Sequence, residues 1–457
     1  MPVSNLRREV GALLRLAAPI AAAQAGTQLM GLVDVAVLGR YGARELAGAG
    51  LGNAIFFAVS IVGMGIVLGI DPLIAQAVGA GDRPRARRVL WQGVWVALTL
   101  TIALTLLLVA AAHAIPLAGV QPELVAPAQT FLLIRAITIA PYLLYYVSRS
   151  YLQAHAHVRP MVLSTVIANV VNFLGDLLLV FGGASLPSWT GPLRRVPEMG
   201  VAGAAWATVV CSFLQLAIIG AAVLRVPTGT SDGAHVDHRW NRNEVAQVFR
   251  VGLPIGLQMG AEIGIFALVG VLAARLGTLH LAAHQLTLAL ASFTYVVAMG
   301  VSAAGSVRVG LAIGARDAAA TRRAGAAALI GGGAFMTCAA LAFALAPRAL
   351  ARLITDQPDV IGAAIPLMFV AAVFQISDGI QGVAAGILRG AGDTRFALYA
   401  NLVGHWLIGL PIALVLGFHE HLGIIGLWWG LCAGLTFVAA VLFARFERLS
   451  RSTIVPL

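Results

Sequence analysis

The chain has no lysine: the 30 positions counted as Lys or Arg are all arginine. A nucleotide loop of the Walker A kind needs a lysine on the β and γ phosphates, so ATP hydrolysis by this chain is not expected to power it. Charge is scarce as well. Asp, Glu and Arg together fill 11% of 457 positions, where a soluble domain carries roughly 25%, which excludes a water-soluble globule of this length. Cys211, Cys338 and Cys432 lie singly in apolar stretches, a pattern of packing residues rather than of a disulfide framework or metal clip. No Asp-rich Mg²⁺ motif, serine with a base, or His-Glu-x-x-His occurs, so an intramembrane enzyme is not expected.

What the chain does have is apolar length. Hydrophobic residues make up 60%, with 51 glycines and a mean hydropathy of +0.90. A transmembrane helix takes about 20 apolar residues. Reading runs between polar breaks predicts twelve spans, near 13–39, 46–79, 89–115, 127–149, 160–182, 201–225, 250–275, 281–312, 324–346, 361–388, 395–417 and 423–446. The predicted fold class is an all-α polytopic membrane protein. Twenty-two arginines, among them Arg7, Arg8, Arg83, Arg159, Arg250 and Arg395, fall on the side of the N-terminus, and seven, including Arg40, Arg194 and Arg275, on the other. By the positive-inside rule both termini are cytoplasmic, in a bacterial inner membrane. The +11 net charge then reflects topology and lipid contact, with no nucleic-acid or nucleotide partner. Arg7-Arg8 ahead of an apolar run imitates a secretory signal, but the run stays apolar to Leu38, too long for a signal core. It is expected to be the first span, uncleaved.

Sliding the chain on itself by 235 residues aligns Glu9-Val10 with Glu244-Val245, Arg15 with Arg250, Pro19-Ile20 with Pro254-Ile255, Asp82 with Asp317, and Arg87-Arg88 with Arg322-Arg323. After a one-residue slip Arg159 matches Arg395, and further on Gly200-x-x-Gly203-x-x-Trp206 matches Gly423-x-x-Gly426-x-x-Trp429. Paired Arg, Asp, Pro and Trp positions are hard to obtain by chance. The expected organisation is a duplicated six-helix unit: an N-terminal lobe 1–225, a cytoplasmic linker 226–245 and a C-terminal lobe 246–457. An even helix number gives both copies the same orientation, related by a pseudo-two-fold axis along the membrane normal, with a cleft between the bundles as in alternating-access transporters.

A carboxylate at the centre of a span costs roughly 2.5 to 3.5 kcal/mol on insertion scales, so such groups mark cavities, partners or ions. Five acids fall within spans: Asp34, Asp71, Asp176, Glu262 and Asp378. Asn169, Asn172 and Asp176, at i, i+3 and i+7, share one helix face. With Asp34 and the Thr208 hydroxyl they form a candidate set of hard oxygen ligands for Na⁺ (metal ligands Asp34, Asn172 and Asp176) or a proton site, against the alternative of polar glue between helices. Glu262 and Asp378 lie in Gln258-x-x-x-Glu262 and Phe374-Gln375-x-x-Asp378-x-x-Gln381. If they face one another they must share a proton or a cation; the other reading is two separately buried polar groups. Gln28 and Gln285, with Asn169, Gln258, Phe374, Gln375 and Gln381, are candidate cavity-lining residues. Asp71 reads as a rim or packing residue, and His284 and His405 as core histidines. Tyr142, Tyr145 and Tyr146 read as an interface belt, and Phe57 and Phe293 as either cleft or core. Arg135, inside a span, is either an internal counter-ion or a snorkelling side chain.

Over essentially its full length the sequence resembles the multidrug and toxic compound extrusion (MATE) transporters. The resemblance is carried by Leu16-Ala17-Ala18-Pro19, Gln24, Gln28, Val33-Asp34 and Leu38-Gly39-Arg40, then by Gln76-Ala77-x-Gly79-Ala80-Gly81-Asp82. In the second half Gly252-Leu253-Pro254-Ile255, Glu262, Ala282-Ala283-His284-Gln285, Arg308-Val309-Gly310, Asp378-Gly379-x-Gln381 and Leu388-Arg389-Gly390-x-Gly392-Asp393 look like the NorM branch. The resemblance implies export of small cationic, amphipathic compounds in exchange for Na⁺ or H⁺, with no cofactor beyond that ion, lipids as surroundings and a monomer as the unit. It carries coupling roles onto Asp34, Asn172, Asp176 and Thr208 in the N-terminal lobe, and onto Glu262 and Asp378 in the C-terminal lobe. NorM-like Na⁺-coupled members can carry a tyrosine where Phe374 stands here, a departure that weakens Na⁺ in the second lobe and favours protons, or Na⁺ in the first. The alternative is a lipid-linked oligosaccharide flippase of the same superfamily, although such flippases commonly add two helices and further cavity arginines.

Overall fold

The computed structural model describes residues 3–184, 188–227, 238–451 and 454–457, with the side chains of residues 3–7 and 188 outside that set. The expected linker therefore lies partly outside the described residues, at 228–237, as does the Arg7 side chain. Among the described residues no strand occurs. The helices in chain order are α1 (Val3–Tyr41), α2 (Ala43–Val67), α3 (Ile70–Gly79), α4 (Arg83–Ala114), α5 (Pro122–Ala136), α6 (Ile139–Ala154), α7 (Arg159–Phe181) and α8 (Val201–Leu224). They continue with α9 (Arg242–Leu276), α10 (Thr278–Gly314), α11 (Ala318–Leu345), the short α12 (Pro347–Arg352), α13 (Pro358–Gly390), α14 (Thr394–Leu402), α15 (Leu410–Leu414) and α16 (Gly423–Ser450). Among the described residues eleven stretches are long and apolar enough to cross a membrane, and α5 with α6, bent by 45°, makes a twelfth when the pair counts as one span. The first helix runs unbroken from Val3, through the segment that imitates a signal.

Three spans expected as plain helices are interrupted, and proline accounts for each. A proline ring clashes with the carbonyl four residues back and removes a hydrogen bond. Pro72 stands four residues after Leu68, where α2 gives way to α3. Pro141 stands four after Ile137, in the gap between α5 and α6. Pro411 follows the π-helical stretch Val403–Gly409, and a second such stretch, Val415–His419, follows α15. Single-turn widening of this kind absorbs a local mismatch without ending the span. Asp71 lies in the first turn of α3, where the partial positive charge of a helix start favours an acid.

The chain packs as two compact units, neither contiguous in sequence. The first contains Met1–Ala21, Asp71–Asp82 and Val251–Leu457; the second contains Ala22–Ile70 and Arg83–Arg250. Within the first unit α1 lies against α10, where a side chain at Gly300 would come within 2.7 Å of the Ala21 Cβ and 3.0 Å of the Ala17 carbonyl. Glu9 and Arg308 close the same contact with an ion pair. The repeat shows itself locally in this unit. A Cβ on Gly79 would collide with the backbone of Leu311, and one on Gly314 with the backbone of Gln76. These are the same two positions exchanged by the 235-residue offset, so α3 and the end of α10 cross in a two-fold manner. The apolar core here is built around Phe374, Trp428, Leu367, Met368 and Leu435. His284 belongs to it, its Nδ1 accepting the Trp428 indole N–H at 3.2 Å.

In the second unit Val37, Leu38, Phe131, Val180 and Ala205 form one core cluster. Tyr142 is half-buried in this unit. It packs edge-on against Phe56 at 6.3 Å and Tyr146 at 5.0 Å, and its hydroxyl donates to the Met64 sulfur at 3.3 Å. Residues 238–241 are held to α4 by the Gln92 and Trp95 side chains, which donate to the Arg239 and His238 carbonyls at 2.8 and 2.9 Å. Phe57 and Phe293 are exposed, which removes the core reading for both. Ile102, Leu106, Leu163 and Leu407 are exposed as well, as an apolar bundle immersed in lipid requires.

Candidate functional site

Two acid clusters stand out, one inside each unit. In the second unit α7 presents Asn172 and Asp176, both fully buried, and α1 presents Asp34. Close helix approach allows the meeting. A Cβ on Gly175 would sit 3.2 Å from that of Ala207, and a Cβ on Gly203 would collide with the Leu179 backbone, so α7 and α8 touch along small residues. That contact brings the Thr208 hydroxyl to 3.5 Å from Asp34 Oδ2, while it donates to the Ala204 carbonyl at 3.0 Å. The Asp34 carboxyl adjoins both the Asp176 carboxyl and the Asn172 amide.

This cluster is short of hydrogen-bond partners. Asp34 Oδ1, both Asp176 oxygens and both Asn172 amide atoms are buried and have none. Unsatisfied buried polar groups each cost about 1 to 3 kcal/mol. Two carboxylates, a carboxamide and a hydroxyl are the oxygen donors a small hard cation takes. A proton held between the carboxyls would relieve the same deficit. Among the described residues no group of three or more His, Cys, Asp or Glu is placed to hold a metal ion. Asn169, whose Oδ1 is likewise buried without a partner, also holds the helix contact. Its amide donates to the Gly26 and Thr165 carbonyls, both at 2.9 Å, and clamps α7 to α1.

In the first unit Glu262 on α9 and Asp378 on α13 are near enough for their charges to interact. The Asn401 amide donates to Glu262 Oε2 at 3.4 Å and the Gln381 amide adjoins it. Tyr295 on α10 also reaches the acids: its hydroxyl lies 2.8 Å from where a Cβ on Gly382 would stand, one turn beyond Asp378. Gln258 is buried one turn before Glu262. Gln375 is buried and donates to the Thr294 hydroxyl at 2.6 Å, leaving its own Oε1 unpartnered. Phe374 is withdrawn into the core, edge-on to Phe266 at 6.1 Å and to Trp428 at 5.5 Å. Gln28 and Gln285 are exposed, and among the described residues neither bonds to an acid cluster.

Asn401 and Tyr295 do not stand out in the sequence. Asn401 shares α14 with Thr394, Arg395 and Tyr399, and Tyr295 follows Thr294 in α10, so neither shows the i, i+3, i+7 pattern of carboxamides and acid that marks α7. The usable signal is the lone carboxamide itself, since burying an amide without a partner is costly.

A sequence model of the MatE family matches this chain twice, over residues 19–178 and 254–415. The two matches begin at Pro19 and Pro254, the prolines that the internal repeat aligns. A probable multidrug resistance protein NorM of Bradyrhizobium diazoefficiens is 34% identical over 458 residues, covering 99% of this chain and 96% of that protein. Its counterpart in Deinococcus radiodurans is 36% identical over 454 residues, covering 97% and 96%. Among solved structures, a eukaryotic MATE transporter superposes with a TM-score of 0.84 at 21% identity, covering 98% of each chain. At that identity the likeness speaks to the fold.

Proposed function

Because the chain belongs to the MatE family, we propose that it is a multidrug efflux transporter working as a secondary antiporter. It exports cationic amphipathic compounds in exchange for Na⁺ or H⁺ by alternating access, from a bacterial inner membrane with both termini in the cytoplasm, as a monomer. The observation that carries this reading is the pair of buried acid clusters, one per unit, of which the Asp34–Asn172–Asp176 set has five polar atoms without partners. Two carboxylates side by side at low dielectric cannot both stay charged and bare. The group is therefore completed by a proton, by Na⁺, or by a cationic ligand, and competition for the same negative charge is what an exchanger needs. Thr208 and Asn172 would supply neutral oxygens to Na⁺ at Asp34 and Asp176. Asn401, Gln381 and Tyr295 surround the second acid pair with groups that steady either protonation state.

Reconstitution into proteoliposomes tests the reading. Ethidium efflux should follow an imposed Na⁺ or pH gradient, and the gradient that drives it identifies the ion. Asp34→Asn, Glu262→Gln and Asp378→Asn should each lower gradient-driven efflux. If all three transport at the wild-type rate, the exchange reading is wrong.

A further inference from the structure

In the second unit the residues that lead into α9 are pinned to α4. The buried Gln92 side chain donates from its amide to the Arg239 carbonyl at 2.8 Å and accepts the Asn241 N–H at 3.0 Å. The Trp95 indole donates to the His238 carbonyl at 2.9 Å, and the Trp91 and His238 rings lie 4.5 Å apart. Asn241 in turn caps α9, its Oδ1 accepting the Asn243 and Glu244 N–H groups at 3.0 and 3.3 Å. Residues 238–242 are therefore held in one shape although all five are exposed.

That shape displays positive charge beside two indoles. Trp95 and Trp240 meet edge-on at 6.4 Å and both stay exposed. Arg88, one turn before Gln92, and Arg242, directly after Asn241, are exposed as well, and among the described residues neither makes an ion pair. Glu244, in the first turn of α9, pairs with neither of them. The internal repeat supplies the contrast. Arg87-Arg88 correspond to Arg322-Arg323, and there Arg322 meets Glu447 at 3.8 Å and Arg323 meets Asp317 at 3.9 Å. In the second unit Arg87 is buried and donates to the Val223 carbonyl at 3.1 Å, while Arg88 faces outward without a protein carboxylate.

From Arg88 one face of α4 continues through Trp95 to Leu98, Ile102 and Leu106, at helical spacing and all exposed. Trp95 to Leu106 spans about 16 Å at 1.5 Å per residue, which matches one leaflet of a hydrocarbon core about 30 Å thick. Indoles settle at the level of lipid headgroups, and a guanidinium takes a phosphate in parallel hydrogen bonds. We propose that Arg88 and Arg242, with Trp95 and Trp240, bind the headgroup of an anionic phospholipid. The phosphate takes the guanidinium edges, the glycerol lies against the indoles, and an acyl chain follows the apolar face of α4. With the termini in the cytoplasm, as proposed above, the site faces the inner leaflet, whose anionic lipids attract basic clusters of this kind.

The test is native mass spectrometry of the purified full chain, titrated with equimolar phosphatidylglycerol and phosphatidylcholine of the same acyl chains. Wild type should retain phosphatidylglycerol in preference. Arg88→Gln and Arg242→Gln should each reduce that preference, and the two together should reduce it by about tenfold or more, the scale of a lost charge-assisted hydrogen bond. Arg88→Lys should keep part of it, and Trp240→Ala should weaken retention of both lipids. Arg395→Gln, which removes an exposed arginine of the first unit, should leave the preference unchanged. An unfolding midpoint equal to wild type without added lipid shows that each variant is folded. Equal retention of the two lipids by wild type overturns the site. So does an Arg395→Gln loss as large as that of Arg88→Gln, which would mark a diffuse effect of charge. Displacement of the lipid by inorganic phosphate at equal concentration also overturns it, because a soluble anion would then be the ligand.

Discussion

Asp176 is fully buried, and neither of its carboxylate oxygens has a hydrogen bond. Such a group lowers stability, because a buried polar group without a hydrogen bond costs about 1 to 3 kcal/mol. Asp176→Asn should therefore separate two properties. Ion-driven ethidium efflux should fall by about tenfold or more, while the midpoint of thermal unfolding in detergent should stay level or rise by about 2 to 4 °C per kcal/mol relieved. A fall in both would mean that Asp176 is a structural residue. Asn401→Leu makes the complementary case in the first unit: Glu262 loses the amide that donates at 3.4 Å, a long hydrogen bond worth about 0.5 to 1.5 kcal/mol. Efflux driven by the coupling ion should weaken accordingly, read as a higher ion concentration at half-maximal rate. Asn172 and Asp176 were legible in the sequence because the helical period places them on one face. Asn401 and Tyr295 were not, because Asn401 meets Glu262 across 139 residues of chain and no local pattern ties either residue to the acids.

At the scale of the element, helix existence could be read from apolar run length, but continuity could not. The breaks at Leu68 and Ile137 and the π-helical stretch before Pro411 each stand next to a proline that the hydropathy pattern passes over. Glycine carries the other unread information. At Gly79 and Gly314 the opposing atoms are backbone, of Leu311 and Gln76, which cannot turn aside as a side chain can. Gly79→Ala and Gly314→Ala should each destabilise the protein by about 1 to 3 kcal/mol, the cost of overpacking, seen as a lower unfolding midpoint in detergent. Gly333, in α11, has nothing within 4 Å of a built Cβ. Gly333→Ala should be neutral or stabilising by up to about 1 kcal/mol, the helix-propensity gain. If all three behave alike, close approach is not what keeps glycine at the crossing.

At the scale of the whole molecule the duplication was legible, because paired prolines and arginines survive at a constant offset, and the family match begins at the same two prolines. The way the chain shares its segments between units was not legible, since no local pattern records which distant helix a segment packs upon. Residues 1–21 and 71–82 belong to the unit otherwise built from 251–457, whereas 238–250, beyond the polar stretch, belong to the unit built from 22–70 and 83–250. The first exchange is fixed by the Glu9–Arg308 ion pair and by the Gln76 amide donating to the Gly390 carbonyl at 3.1 Å. The second is fixed by the bonds from Gln92 and Trp95 to Arg239 and His238. A polypeptide cut within 228–237 therefore leaves each fragment holding a piece of the other's unit. Fragments 1–227 and 238–457, expressed together, should assemble in the membrane and restore ethidium efflux, and each expressed alone should be degraded or extracted in aggregated form. Size-exclusion chromatography of a tagged fragment, with its partner detected in the same peak, measures the assembly directly. A monodisperse, folded 238–457 fragment in the absence of 1–227 would show that the segments 1–21 and 71–82 are not needed to complete the first unit.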